Sequence, residues 1–199
     1  MDVGEPRRRG RPGLDLATVL ARSVDLFNER GFDGTSMEDL ARYLGISKSA
    51  IYHHVSGKDA LLGLALDRAL SALEEAAFEV RSAQAAPIDR LEMLLRRSVA
   101  VLVERLPYVT LLLRVRGNSD VERDALIRRR RIDRLVADLV RDAVDAGQLR
   151  PDLDPVVVGR LLFGAVNSVT EWLRPGSAHS ADELADAVVA IAFEGLRAR

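Results

Sequence analysis

A chain of 199 residues with no cysteine holds neither a disulfide nor a Cys-ligated zinc, which excludes the small cystine scaffolds, and it is long enough to bury a core without either. A formal net charge of -1 also excludes a surface coated throughout with cations, so any contact with a polyanion must come from local placement of charge. Even residues 1–58 hold nine Lys and Arg against eight Asp and Glu.

Residues 1–13 carry Arg7, Arg8, Arg9 and Arg11 among Pro and Gly and lack apolar periodicity. They read as a disordered basic arm that follows phosphates or enters a minor groove, or as a solvated tail without a role. No apolar run of signal-peptide or membrane-span length follows, so a cytoplasmic protein without a membrane partner is expected. From Leu16, the residues Val19, Leu20, Val24 and Phe27 recur at helical spacing up to Gly31, which is placed as a C-terminal cap. Thr35 with Glu38 reads as a capping box, ahead of a second short stripe of Met37, Leu40, Ala41 and Leu44 that ends at Gly45. Ser47 caps a third helix, in which Ile51 and Val55 share the core side while Ser47, Lys48, Ser49 and Tyr52 are left to face outward. Two short helices joined at a glycine give the helix-turn-helix outline.

A long apolar-striped helix is expected over 61–80, with a joint at Ala85, Ala86 and Pro87. Helical spacing resumes over 91–106 and is broken or restarted at Pro107. A short apolar segment, 108–115, precedes Gly117 and Asn118, and a charged helix follows over 121–146, ending at Gly147. Asp154 and Pro155 supply an N-cap and first residue for a helix through Trp172, stopped by Pro175 and Gly176. Ser180 and Glu183 make another capping-box pattern before Leu184, Val188, Ile191, Ala192 and Leu196. No stretch alternates as a strand does. The expectation is an all-α protein of about nine helices: an arm (1–13), a three-helix helix-turn-helix domain (14–60) and a larger helical domain (61–199).

The runs Gly31-Phe32-Asp33-Gly34-Thr35-Ser36-Met37-Glu38-Asp39-Leu40-Ala41 and Gly45-Ile46-Ser47-Lys48-Ser49-Ala50-Ile51-Tyr52-His53-His54 closely resemble the TetR family of one-component transcription regulators. The resemblance covers about residues 16–62, and it implies that 14–60 is a DNA-binding domain and 61–199 a ligand-binding and dimerisation domain. It departs from the family pattern at Val55, where an aromatic is commoner, and at Gly57, where Ser is frequent. A major groove admits one helix, whose leading donors reach base edges. On that ground Lys48 and Ser49 are expected at bases, and Tyr52, His53 and Lys58 at phosphates, with Thr35 as both cap and phosphate contact and Ser47 at the helix start. The resemblance implies the same roles.

His53 and His54 are adjacent, so on a helix they point about 100° apart and do not make a metal site. His179 stands alone, and no HExxH, GxSxG or phosphate-loop pattern occurs. Neither an enzyme, a metal nor a cofactor is expected.

Further along, Arg116-Gly117-Asn118 through Arg131, and residues 164–175, resemble TetR repressors that govern catabolism of fatty acids, phenylacetate and other acids carried as CoA thioesters. An acyl-CoA sensor needs an apolar cavity and cations for the pyrophosphate. Leu102, Leu106, Val109, Leu113, Phe163, Asn167 and Trp172 are the candidates for the first. Arg116 and the run Arg128 to Arg131 are the candidates for the second, although four consecutive arginines cannot share one helix face and at least half should be solvated or paired with Asp124 and Asp133. Leu162, Ala165, Val166, Val169, Val188 and Ala192, with Gly159 and Gly195, suit a four-helix interface between two copies, or the core of one. The function expected is a dimeric repressor of a palindromic operator, released by a small effector, an acyl-CoA being the candidate. A DNA-binding regulator without a ligand, or a helical enzyme or carrier using the cavity, are the other readings.

Overall fold

The computed structural model describes residues 14–174 and 176–195. Among them are nine helices and no strand: α1 (Leu16–Arg30), α2 (Met37–Leu44), α3 (Lys48–Tyr52), α4 (Lys58–Ser82), α5 (Pro87–Glu104), α6 (Leu106–Arg114), α7 (Asp120–Asp145), α8 (Pro155–Trp172) and α9 (Ala181–Phe193). The arm 1–13, Pro175 and Leu196 lie outside the described residues. The chain divides into two compact units, with the division at Leu61 and Leu62 inside α4.

In the first unit α1, α2 and α3 each start on a side-chain acceptor. Asp15 accepts from the Thr18 N–H at 2.7 Å and so opens α1. The four apolar residues of the α1 stripe are all buried, joined by Leu26, and Phe27 meets Phe32 edge to face with ring centroids 5.2 Å apart. The start of α2 corrects the sequence reading by one residue: Ser36 is the N-cap and Asp39 closes the box. Two overlapping signatures compete here, Thr35 with Glu38 and Ser36 with Asp39. The second prevails because Thr35 is buried, its hydroxyl donating to the Gly31 carbonyl at 2.7 Å, while Glu38 is drawn to Lys48. Gly45, at φ 70°, turns the chain into α3 in a left-handed conformation that a side chain would strain. Ser47 caps α3, with Ile51 and Val55 inward.

The second unit is a bundle in which α5 packs on α9 and α7, and α7 on α8. Its centre joins Ala77 and Val80 of α4, Leu91 and Leu94 of α5, and Leu135, Val136, Leu139 and Val140 of α7, with Leu162 and Phe163 of α8 against them. Each such fully buried leucine or valine stabilises the fold by about 1.5–3 kcal/mol. Pro87 begins α5 as the joint required, and Pro107 sits in the first turn of α6, where no intrahelical N–H is missed. At Gly159 α8 approaches α7 closely, since a Cβ there would lie 3.1 Å from Val136 Cγ1 and 3.6 Å from the Ala137 backbone nitrogen. The Asp154 cap and the Ser180–Glu183 box form at the expected positions.

Ahead of α7, three consecutive N–H groups, those of Arg116, Gly117 and Asn118, donate to Glu122 Oε2 at 2.9, 2.6 and 2.9 Å. Glu122 is buried. Burial works against its charge, but the three N–H groups outweigh that and leave its pKa below the usual carboxylate value. Arg116 is exposed at the surface of this turn.

Candidate nucleic-acid interface and effector cavity

In the first unit, α3 exposes Lys48, Ser49 and Tyr52, and His53 is exposed just beyond it. Ser47 Oγ accepts from the Ala50 N–H at 3.2 Å and lies 2.8 Å from Ser49 Oγ, so the two hydroxyls form one polar edge at the helix start. Lys48 is ion-paired with Glu38 of α2, a contact that raises the lysine pKa and lowers that of the carboxyl. Both groups are exposed, so a phosphate or base edge can replace this pairing at little cost. Arg22 donates to the Tyr43 and Leu44 carbonyls at 2.7 and 3.3 Å and lies over the Tyr43 ring, tying α1 to the end of α2. His54, also exposed, meets the Leu14 carbonyl at 2.9 Å.

Two expected contacts are differently engaged. Thr35 presents no accessible hydroxyl to a phosphate, because its side chain turns inward to Gly31. Lys58 donates to the Phe32 carbonyl at 3.0 Å and lies over the Phe32 ring, which leaves its remaining protons for another acceptor. Among the described residues no group of three His, Asp or Glu side chains is placed to hold a metal ion.

The second unit contains an apolar cavity of about 30 Å³ lined by α4 to α8. Leu102, Val109, Leu113, Phe163 and Asn167 line it as the sequence reading expected, together with Leu73, Ser98, Leu112, Arg129, Ile132, Asp133 and Val166. Leu106, Arg116 and Trp172 are not in its wall: Leu106 packs in the core, while Arg116 and Trp172 face solvent. Ser98 is the polar exception on the buried face of α5, and its hydroxyl has no hydrogen-bond partner. A serine at an otherwise apolar helical position, after Leu91, Leu94 and Leu95, was a signal the sequence offered.

A groove of about 550 Å³ adjoins the cavity between α7 and α8, lined by Ile127, Arg130, Asp133, Arg134, Ala137, Val156, Gly159 and Arg160. The helical turn sends the consecutive arginines in separate directions. Arg128 leaves the ligand candidates altogether, donating to Glu74 and Asp67 of α4 at 2.7–2.9 Å. These acids, and not Asp124 or Asp133, are its partners, and they hold its guanidinium protonated far above any working pH. Arg129 reaches the cavity and Arg130 the groove. Arg160, from α8, was missed because its partners in the groove lie some thirty residues away in sequence. No helix among the described residues is long and apolar enough to cross a membrane.

The expected interface set is divided by the fold. Val166 and Val169 are buried within the protomer and Leu162 packs on the core, because α8 turns that face toward α5 and α7. Ala165 and Ala192 are exposed and Val188 is partly covered. The outward face of α8 instead carries Val157, Leu161, Ala165 and Trp172 at helical spacing, with Ile191 exposed on α9; Leu161 is 69% and Trp172 52% accessible. A stripe of this kind is uncommon on a monomer.

Comparison with known proteins agrees with this architecture. Residues 19–65 match the model of bacterial regulatory proteins of the tetR family, and residues 84–196 match a tetracyclin repressor-like C-terminal domain. The structure is similar to that of SCO3833, a TetR-family transcriptional regulator from Streptomyces coelicolor A3, with 48% identity, a TM-score of 0.83 and coverage of 90% of this chain and 91% of that one. It also resembles AibR in complex with isovaleryl coenzyme A and operator DNA, at 25% identity and a TM-score of 0.75 over 89% and 97% of the two chains. The HTH-type transcriptional repressor KstR2 of Mycolicibacterium smegmatis is 23% identical over 194 residues, 96% of this chain and 95% of that protein.

Proposed function

The protein belongs to the TetR family of bacterial transcription regulators, and from that premise we propose that it is a cytoplasmic, dimeric repressor released from its operator by an acyl-CoA. The observation that carries the effector class is the arginine-lined groove joined to an apolar cavity. An acyl thioester of CoA has the same order of parts: an apolar acyl group, a neutral linker and a polyanionic nucleotide. Arg130, Arg134 and Arg160 would hold the phosphates, and arginine suits them through its paired N–H donors. Leu102, Leu112, Val109, Ile132 and Phe163 would surround the acyl group. The likeness to AibR, solved with an acyl-CoA and operator DNA, supports the same reading.

The cavity is too small as it stands for an acyl chain, because a site for a small molecule encloses about 300 Å³ or more. Its walls must part when a ligand enters. Bound and free states then differ, which a ligand needs if it is to shift an equilibrium. In the dimer, joined through the exposed apolar face of α8 and α9, two copies of α3 would enter successive major grooves about 34–36 Å apart, and the occupied state would alter that spacing. Lys48 and Ser49 would reach base edges, with Tyr52 and His53 on phosphates.

Fluorescence anisotropy on DNA from the gene's own upstream region, at fixed salt, tests both parts. Selective binding is expected, abolished by a thioester and weakened about tenfold or more by Lys48→Ala. Selective binding indifferent to every thioester would retain the regulator and discard the effector class.

A further inference from the structure

Asp133 is the one residue common to the linings of the cavity and the groove among the described residues. Its carboxylate has neither a hydrogen bond nor an ion pair within 4.0 Å among them. Although solvent reaches the side chain, the chain packed around the crevice desolvates it and raises its pKa, an effect opposed by the more distant charges of Arg129 and Arg160. The carboxylate lies at the junction of the apolar lining and the cationic lining.

We propose that Asp133 is the specificity residue that admits a CoA thioester and rejects the parent free acid. The proposal rests on the acyl-CoA reading above and adds the residue that discriminates. The pantetheine arm carries amide N–H groups a few bonds beyond the sulfur, and the Asp133 carboxylate accepts from one of them. A free acid with its chain in the same cavity ends in a carboxylate near the junction. There it meets a like charge at short range, and two carboxylates brought together disfavour the ionised pair.

The test is calorimetric titration of the full-length protein, at one salt concentration, with butyryl-, octanoyl- and dodecanoyl-CoA and with the three matching carboxylates. Asp133→Asn keeps the shape and an acceptor oxygen but removes the charge, and circular dichroism checks that it folds. The expected result is that Asp133→Asn strengthens binding of at least one carboxylate by about tenfold or more, while thioester affinity changes by less than about threefold. Asp133→Glu, which keeps the charge, should continue to exclude the carboxylates.

An unchanged ratio of thioester to carboxylate affinity in Asp133→Asn overturns the proposal, as does a wild-type protein that binds carboxylates as tightly as thioesters; in both cases the acyl-CoA reading stands as long as the thioesters bind. If no thioester binds the wild type but a carboxylate gains affinity in Asp133→Asn, the filter is upheld and the acyl-CoA reading falls. Absence of thioester binding with no gain for any carboxylate overturns both.

Discussion

Between residues 14 and 61, Asp15, Ser36 and Ser47 each find a hydrogen-bond partner three residues along the chain, at a helix start open to water. Beyond residue 62 there are polar groups of another kind: Glu122, buried and satisfied by three backbone N–H groups, and Ser98, buried with none. The contrast separates two uses of polarity. An exposed cap can lose its partner to water, so its deletion costs about one hydrogen bond. A buried group cannot: if satisfied it is a strong local fastening, and if unsatisfied it reduces stability and is worth keeping only for something that binds there.

Substitutions at the three kinds of position make the contrast measurable. Glu122→Ala should have the largest effect, a loss of about 3 kcal/mol, because three N–H groups ahead of α7 are left without a charged acceptor. Urea unfolding followed through the fluorescence of Trp172, the sole tryptophan, reads the second unit directly. The folded pKa of Glu122 is depressed, so its contribution is complete above the unfolded value of about 4.3 and is lost as pH falls through the folded one. The same titration run at descending pH should therefore show the gap between wild type and Glu122→Ala closing in acid. A gap constant with pH would mean that packing, and not the charge, supports the turn.

Ser36→Ala should cost about 1 kcal/mol, seen as faster hydrogen exchange of the α2 amides with little change in the Trp172 signal. If the loss were several times larger, the first unit would depend on more than local capping, and the contrast would weaken. Ser98→Ala should have the smallest effect on stability, from none to a gain of about 1 kcal/mol, since it removes a hydroxyl that nothing satisfies. A thermal melt suffices. A clear loss would reveal a partner for the hydroxyl, such as a bound water, and place Ser98 with Glu122 instead of opposite it.

Much of the fold was legible in the sequence because its signals are short-ranged. The stripes of α1 and α2, Gly31 and Gly45 at helix ends, Pro155 at a helix start, and the Ser180–Glu183 box all act within one or two turns, whereas α5 begins at Pro87, four residues before the expected 91. The error at Thr35 was also local: two boxes offset by one residue carry equal propensity, and only the burial of Thr35 and the attraction of Glu38 to Lys48 choose between them. The candidate interface on α3 was readable for the same reason, since one short helix sets which of its side chains face out.

The cavity was legible only in part. Leu102, Val109, Leu113, Phe163 and Asn167 were found by their spacing, but spacing does not distinguish them from Leu106, which has the same pattern and lies in the core. Nor does it tell which of Arg128 to Arg131 meets an acid. Arg128 finds Asp67 and Glu74 more than fifty residues away, while Arg130 and Arg160 line one groove from two different helices.

By itself the sequence determined the helical class, several of the helix caps, the residues displayed by α3 and the family, because each depends on neighbours a few positions apart or on a contiguous motif. Tertiary structure alone decided that Val166 and Val169 face inward while Leu161, Trp172 and Ile191 face out, that Arg160 joins Arg130 and Arg134, and that Asp133 belongs to both cavity and groove. The reason is geometric. A helix repeats every 3.6 residues and so presents several candidate apolar faces, and only the helices packed against it select which face is buried.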